Sequence, residues 1–563
     1  MTKTTEWWKD EIFYQIYPRS FQDSNGDGIG DLQGIISRLD YLQDLGITTI
    51  WLSPIYKSPM YDMGYDVADY EAIDPIFGTM ADFDELLAKA KQCGIKIIMD
   101  LVVNHTSDQH EWFKDAINNP DSKYRDYYIF KHTDDGKVPN NWRSIFGGST
   151  WEPVPNEPGT FYFNSFSPQQ PDLNWENPKL RHVIYKMINW WLEKGVAGFR
   201  IDAINFLKKD QDYASLPADA NDGLVSVIEK GQNRPGLEDF LAELKTETFD
   251  KYDAVTIGEA YGLAPSELKR LVGKYGYFSM VFDFSYMNID MVSGDEWFRG
   301  LNDWSVSDLR QLMFASQKGI KEAEGWFATV LENHDQPRVL SKLIKNADER
   351  TPKAAKALAT MYFFLPGDPF IYQGQEIGMK NFTRQSINEF NDISSHNNYR
   401  LALNEGFTPE AALKYVNLKS RDNARTPMQW NDSVNAGFTT GKPWLSLGND
   451  RAGINVAAEL DNPDSVLRFY QQMIKFRQSD AIKPIMLNGD LHEITSENDD
   501  VIAYEMKYVN HKITILVNLS NKNVPLSKSY DGQLALDNEN EVKLNQQTHV
   551  RGLNSYQAVV IYN

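Results

Sequence analysis

The chain has 563 residues, 42% hydrophobic content, a formal net charge of −21 and a single cysteine. So acidic a chain lacks the basic footprint that nucleic acid demands, no apolar run of about 18 residues is present to span a bilayer, and Cys93 alone cannot form an internal disulfide. The length predicts two to four domains around a large core, and an N-terminus without an apolar signal stretch is expected of a cytoplasmic protein.

Residues 13–18 read as a first strand stopped by Pro18. Asp23-Ser-Asn-Gly-Asp-Gly-Ile-Gly-Asp31 follows, with oxygen-bearing side chains at Asp23, Asn25, Asp27 and Asp31. That spacing predicts a structural Ca²⁺ loop, with the Ile29 carbonyl as a further ligand. The twelfth position is Gly34, so the bidentate Glu of a full EF-hand is missing, and the alternative is a glycine-rich loop held by Asx turns. No organic cofactor is expected.

Residues 35–45 are amphipathic and end at Gly46, predicting one helix, and 48–54 a second strand. Residues 82–92 predict a helix with Asp82 as N-cap, and 96–103 a third strand that exits into Asn104-His105. Cys93 follows that helix and is expected to be a packed thiol, not a nucleophile.

From 106 to 174 the chain is rich in Trp, Tyr, Pro, Asn and Asp without helical periodicity, which predicts an inserted subdomain. A helix at 178–194 leads to the fourth strand, Gly198-Phe-Arg-Ile-Asp-Ala-Ile204. Strands are expected at 253–259, 277–284, 327–335 and 369–376, a polar decoration at about 379–430, and a closing helix at 463–476. Eight strands alternating with helices predict an α/β fold, a (β/α)8 barrel. The division is 1–105 and 175–480 for the barrel, 106–174 for the insertion and 481–563 for a C-terminal antiparallel β domain.

Three acids stand at strand ends: Asp202, Glu259 and Asp335. A parallel barrel keeps its active site at that end. Carboxylates among aromatics suit glycoside hydrolysis, in which one carboxylate attacks or stabilises the anomeric carbon and another acid protonates the leaving oxygen. The plain alternative is that they are buried partners of Arg200 and Arg338. No phosphate-binding loop, paired-cysteine motif or His-Glu-x-x-His is present.

Asp100-Leu-Val-Val-Asn-His105, Gly198-Phe-Arg-Ile-Asp202, Gly258-Glu259 and Glu332-Asn-His-Asp335 resemble the four signature segments of the α-amylase superfamily, glycoside hydrolase family 13. Gln170-Pro-Asp-Leu-Asn174 and Arg421-Asp-Asn-Ala-Arg-Thr-Pro-Met-Gln-Trp430 are similar to segments of its oligo-1,6-glucosidase and α-glucosidase branch. The resemblance implies a retaining mechanism with Asp202 as nucleophile, Glu259 as acid and base, and Asp335 as transition-state stabiliser. It implies that Arg200 orients Asp202 and that His105 and His334 hydrogen-bond the bound glucose. Asp62 and Arg425 would close the pocket around a non-reducing glucose, with Arg421 as the alternative to Arg425. Tyr65 would stack under that sugar, and Phe163 would line the same pocket. The branch's calcium loop matches 23–31.

In that branch, members acting on α-1,6 bonds usually carry Val after the nucleophile and those preferring α-1,4 bonds carry Ala or Thr. Here the residue is Ala203. The expected activity is therefore an exo-acting α-glucosidase on maltose and short malto-oligosaccharides, with transglucosylation able to compete. The alternative is an oligo-1,6-glucosidase acting on α-1,6 linkages. The expected partners are small oligosaccharides, without nucleic acid or membrane.

Overall fold

A computed structural model describes residues 6–294, 296–495, 497–539 and 546–563. Eight strands close into a parallel barrel: β1 Phe13–Ile16, β2 Thr49–Leu52, β3 Lys96–Leu101, β4 Gly198–Ile201, β5 Val255–Gly258, β6 Met280–Phe282, β7 Phe327–Val330 and β8 Asp368–Tyr372. Each pairs with its sequence neighbour, and β8 pairs back onto β1 through Phe13↔Phe370. Helices cover the outside, so nearly every strand residue is buried. Phe13, Trp51, Ile98, Ile257, Phe282 and Phe370 pack in one interior cluster, a filled core without a pore.

The strands are shorter than the apolar runs that announced them. The fourth stops at Ile201 and the seventh at Val330, so the catalytic candidates lie just beyond their strands. The helix expected over 35–45 is two helices, Leu32–Ile36 and Leu39–Leu45. The break falls at Arg38, whose guanidinium donates to Gln22 Oε1 at 2.8 and 2.6 Å. Asp82 is not an N-cap. Thr79 caps the helix Met80–Gln92, and Asp82 is the third residue of the reciprocal capping box.

Between β3 and β4 the chain forms a three-stranded sheet, Phe130–His132, Thr160–Phe163 and Trp151–Pro153. It recruits a segment that follows β4: Val225–Ser226 pairs with Trp142–Arg143, and Tyr213, Val225 and Val227 join Trp142, Trp151 and Phe163 in one apolar cluster. Two helices, Ile393–Asn404 and Pro409–Lys419, decorate the chain after β8. A six-stranded antiparallel sheet ends it: β9 Asp490–Glu493, β10 Val501–Tyr508, β11 His511–Asn518, β12 Val524–Asp537, β13 Gln547–Leu553 and β14 Ala558–Tyr562, in the order β9-β10-β11-β14-β12-β13. Among the described residues, no helix is long and apolar enough to cross a membrane.

Candidate active site

Register brings the first acids together. Arg200 pairs with Asp100 across β4 and β3, while Ile201 pairs with Gly258 across β4 and β5. The ladder runs one step further: the Asp202 N–H donates to the Leu101 carbonyl and the Glu259 N–H to the Ile201 carbonyl, both at 3.0 Å. Asp202 and Glu259 therefore leave adjacent strands side by side. Arg200 lies between them, 1% exposed, and contacts Asp100 at 2.7 Å, Asp202 at 2.7 Å and Glu259 at 2.5 Å. One fully buried guanidinium thus serves three carboxylates, and removing it would leave uncompensated charge.

Ala203 then turns sharply, with φ 44° and ψ 36°. A left-handed alanine is uncommon, and such conformations concentrate at functional sites. Here it aims the Ala203 N–H at Glu259 Oε2, 3.0 Å away.

Asp335 sits in a different field. Arg425 contacts its Oδ1 at 2.8 Å, Arg421 contacts the same oxygen at 3.2 Å, and His334 Nε2 lies 3.1 Å from Oδ2. Gln15 Nε2 donates to His334 Nδ1 at 2.7 Å, which assigns the ring proton to Nε2. That nitrogen faces the Tyr65 hydroxyl at 2.5 Å, and Tyr65 in turn donates to Asp100 Oδ2 at 2.9 Å. The Tyr65 and His334 rings stack with centroids 5.3 Å apart.

Protonation follows these settings. Burial pushes Glu259 up to about 8, with Asp202 and Asp335 adding to the rise against the pull of Arg200. Burial likewise raises Asp202, opposed by Arg200 and reinforced by Asp100 and Asp335. Burial alone would raise Asp335 too, but its cationic neighbours hold it well below the usual carboxylate range. The His334 ring is itself pushed down to about 3 by burial and is neutral, so Arg421, Arg425 and Arg200 do this. A protonated acid beside an ionisable carboxylate is the arrangement that splits acid and nucleophile roles.

Asp62, Tyr65, His105, Asp202, Ala203, Glu259, Asp335 and Arg421 all line one cavity of about 680 Å³. Arg200 lies beneath the cavity on Asp202 and Glu259, and three residues expected to contact or enclose the sugar stand elsewhere. Phe163 is 1% exposed and packs inside the insertion against Trp142, Trp151 and Tyr213, because its strand turns that face inward. Phe166, Phe146 and Phe206 are the phenylalanines at the cavity. Arg425 does not pair with Asp62; it is buried behind Asp335 and also donates to the His334 carbonyl at 2.9 Å. The partner of Asp62 is Arg421, at 2.9 Å, with Asp392 holding the same guanidinium at 2.8 Å. His334 is 0% exposed and supports Asp335 and Tyr65.

Several participants escaped the sequence reading. Asp100 was quoted within a motif without a role, though the β3–β4 register places it on Arg200. Gln170 reaches Asp62 Oδ2 at 3.2 Å. Its N–H donates to the Ser167 carbonyl at 2.8 Å, and the neighbouring Asp172 accepts from the Ser165 N–H at 2.7 Å and pairs with buried Lys209 at 2.6 Å. The Gln-Pro-Asp segment was the available signal. Nothing in the local pattern announced Asp392.

In the 23–31 loop, Asn25 and Asp27 each accept from the N–H two residues on, at 2.9 and 2.8 Å. Asp23 accepts from Asn25, Gly26, Gly28 and the Thr439 hydroxyl, and Asp31 from Ser24 and Gly34. Asx turns therefore hold the loop. A carboxylate offers about four acceptor sites, so Asp23 is filled while Asp27 and Asp31 keep capacity. Among the described residues, no three Asp, Glu, His or Cys side chains form a group able to hold a metal ion. By chemistry the all-oxygen donor set suits a hard cation.

Residues 15–484 match the catalytic domain of alpha amylase. An oligo-1,6-glucosidase of Parageobacillus thermoglucosidasius is 43% identical over 92% of this chain and 91% of its own length. A glucan 1,6-alpha-glucosidase of Streptococcus pneumoniae is 42% identical, covering 93% of both. The crystal structure of the trehalulose synthase MutB from Pseudomonas mesoacidophila superposes with a TM-score of 0.91 at 38% identity, over 99% of each chain.

Proposed function

The chain belongs to the alpha-amylase family and is a glycoside hydrolase, an α-glucosidase, and on that premise we propose that it is an exo-acting, retaining enzyme that removes single glucose units from the non-reducing ends of short α-1,6-linked oligosaccharides. The observation that carries the mechanism is the single guanidinium of Arg200 touching both Asp202 and Glu259. One guanidinium bridging both acids keeps them close neighbours, in line with a retaining pair, whose carboxyl groups stand roughly 5–5.5 Å apart. Asp202 attacks the anomeric carbon while Glu259 gives its proton to the leaving oxygen. Glu259 then takes a proton from water, or from an acceptor sugar, as the ester is released. Asp335, ionised throughout, faces the positive charge that develops on the ring. The Asp62–Arg421 pair caps the cavity and supports the exo action.

On linkage, the names of the relatives turn the balance away from the maltose preference that Ala203 suggested. Both curated relatives described above are 1,6-glucosidases. An α-1,4 preference keeps one observation in its favour: Ala203 lines the cavity in left-handed backbone, where a β-branched residue is badly strained. Proton NMR of isomaltose and maltose in parallel tests both readings. Faster loss of isomaltose with α-glucose released first is expected. Faster loss of maltose would overturn the linkage, and β-glucose appearing first would overturn the mechanism.

The 23–31 loop is proposed to take a structural Ca²⁺ through Asp27, Asp31, Asn25 and the Ile29 carbonyl. Metal analysis after dialysis, with and without chelator, is expected to find one ion per chain. Its absence with unchanged melting would remove the metal from the account.

A further inference from the structure

Most polar side chains around the cavity already have partners. Arg143 holds Asp219 at 2.5 Å, Arg299 holds Glu296 at 2.9 Å, and Gln170 holds Asp62 at 3.2 Å. Gln232 is one that does not. It lines the same cavity, is 9% exposed, and its carboxamide makes no hydrogen bond among the described residues. Its amide atoms are open to the cavity, so an unused donor and acceptor face it and ask for an explanation.

Its position supplies one. Gln232 follows the short turn Ile228–Gly231. The next residue's N–H, that of Asn233, donates to the Asn205 carbonyl at 2.8 Å, and Asn205 Nδ2 donates to the Tyr261 carbonyl at 2.8 Å. Asn205 thus ties the perch of Gln232 to the loop that follows Glu259. The carboxamide lies against that loop: a β-carbon on Gly262 would sit 3.2 Å from Gln232 Oε1. Gly262 has φ +72°, so a side chain there is disfavoured on both counts.

We infer that Gln232 is a specificity-determining residue of the leaving-group side, where its amide hydrogen-bonds a hydroxyl of the second sugar. This rests on the α-glucosidase reading above. Glu259 must protonate the leaving oxygen, so the loop beyond it borders the departing sugar and not the glucose held by Asp62 and Arg421. An amide that both donates and accepts matches neutral hydroxyls.

The test compares wild type with Gln232→Leu and Gln232→Ala on isomaltose, maltose and 4-nitrophenyl α-glucoside, whose leaving group lacks hydroxyls. Both variants are expected to lose about tenfold or more in kcat/KM on the better disaccharide, while the aryl glucoside changes by less than about twofold. A structural role would lower all three substrates together, and that result, or an unchanged disaccharide rate, overturns the inference. Wild-type turnover of the disaccharides tests the underlying reading separately, and its absence would sink both.

Discussion

The two sides of the barrel mouth handle the same chemical group in opposite ways. At β4 and β5, three carboxylates share one guanidinium, and Glu259 is pushed up to about 8. At β7, one carboxylate has two guanidiniums in contact, and Asp335 stays well below the ordinary range. Burial penalises the charged form on both sides; the ratio of cations to anions decides which acid keeps its proton. A group that must give a proton and a group that must remain negative can therefore stand in one cavity without differing in residue type.

The largest effect should come from removing the acids of the first side. Asp202→Asn is expected to lower kcat by about 10⁴-fold or more, and Glu259→Gln by roughly 10²–10⁴-fold on a sugar leaving group. An aryl glucoside, which needs less protonation, should lose less kcat/KM from Glu259→Gln, because that ratio reports the step in which the leaving group departs. Equal losses on both substrates would remove Glu259 from the acid role.

Arg200→Met breaks the shared cation itself. Three carboxylates would be left buried around a neutral chain, and a destabilisation of about 3–5 kcal/mol is expected in chemical denaturation. The contrast with β7 becomes sharp with Asp335→Asn, which should lower activity and also move its alkaline limb to lower pH, because the Asp335 charge helps Glu259 keep its proton.

The pH dependence separates the sides further. The proposed mechanism needs Asp202 ionised and Glu259 protonated, so kcat/KM should fall above about pH 8 as Glu259 loses its proton. Folding should lose stability over a lower window, between the unfolded and folded pKa of Glu259. The folded pKa of Glu259 lies above its unfolded value of about 4.3, so its contribution to stability is complete below that value and is lost as pH climbs through about 8. Glu259→Gln should flatten that decline in a melting-temperature profile. A decline that persists in the variant would assign it to another group.

How much of this contrast was legible in the sequence depended on whether a feature was local. Runs such as Lys96-Ile-Ile-Met-Asp-Leu announced buried strands, and motifs quoted from them carried the three acids. The partners came from far away in the chain. Arg421 pairs with Asp62 across 359 positions, and Gln15 meets His334 across 319. Between Arg421 and Arg425, four residues apart on one segment, nothing local decided which guanidinium reaches the cavity; packing against Asp392 did. Phe163 and Phe166 differ for a similar reason, since the register of a small sheet turns one inward. The segment at 213–227 could not be assigned to the insertion from sequence, because its pairing with Trp142–Arg143 joins stretches on opposite sides of β4.

That distinction between the two arginines is itself open to test, with a moderate effect. Arg421→Ala removes the cap opposite Asp62 and should raise KM about tenfold, with a smaller loss of kcat and stability from the contacts to Asp335 and buried Asp392 that go with it. Arg425→Ala removes a buried group behind Asp335, and should lower melting temperature and kcat together. If Arg425→Ala instead raised KM alone, the pairing first expected from the sequence would be restored.

The smallest effect reaches the β7 side from behind. Gln15 donates to His334 Nδ1 and to Ser53 Oγ, and is 1% exposed. That bond fixes the proton on Nε2, toward Tyr65 and Asp335. Gln15→Leu removes the donor and frees the ring to carry its proton on Nδ1, which would point a lone pair at Asp335. A loss of about tenfold in kcat with little change in KM is expected, because only the stabilisation of developing charge is disturbed. The tautomer can be read directly from ¹⁵N shifts of His334, and a variant that loses kcat while keeping the Nε2 proton would separate Gln15 from this role.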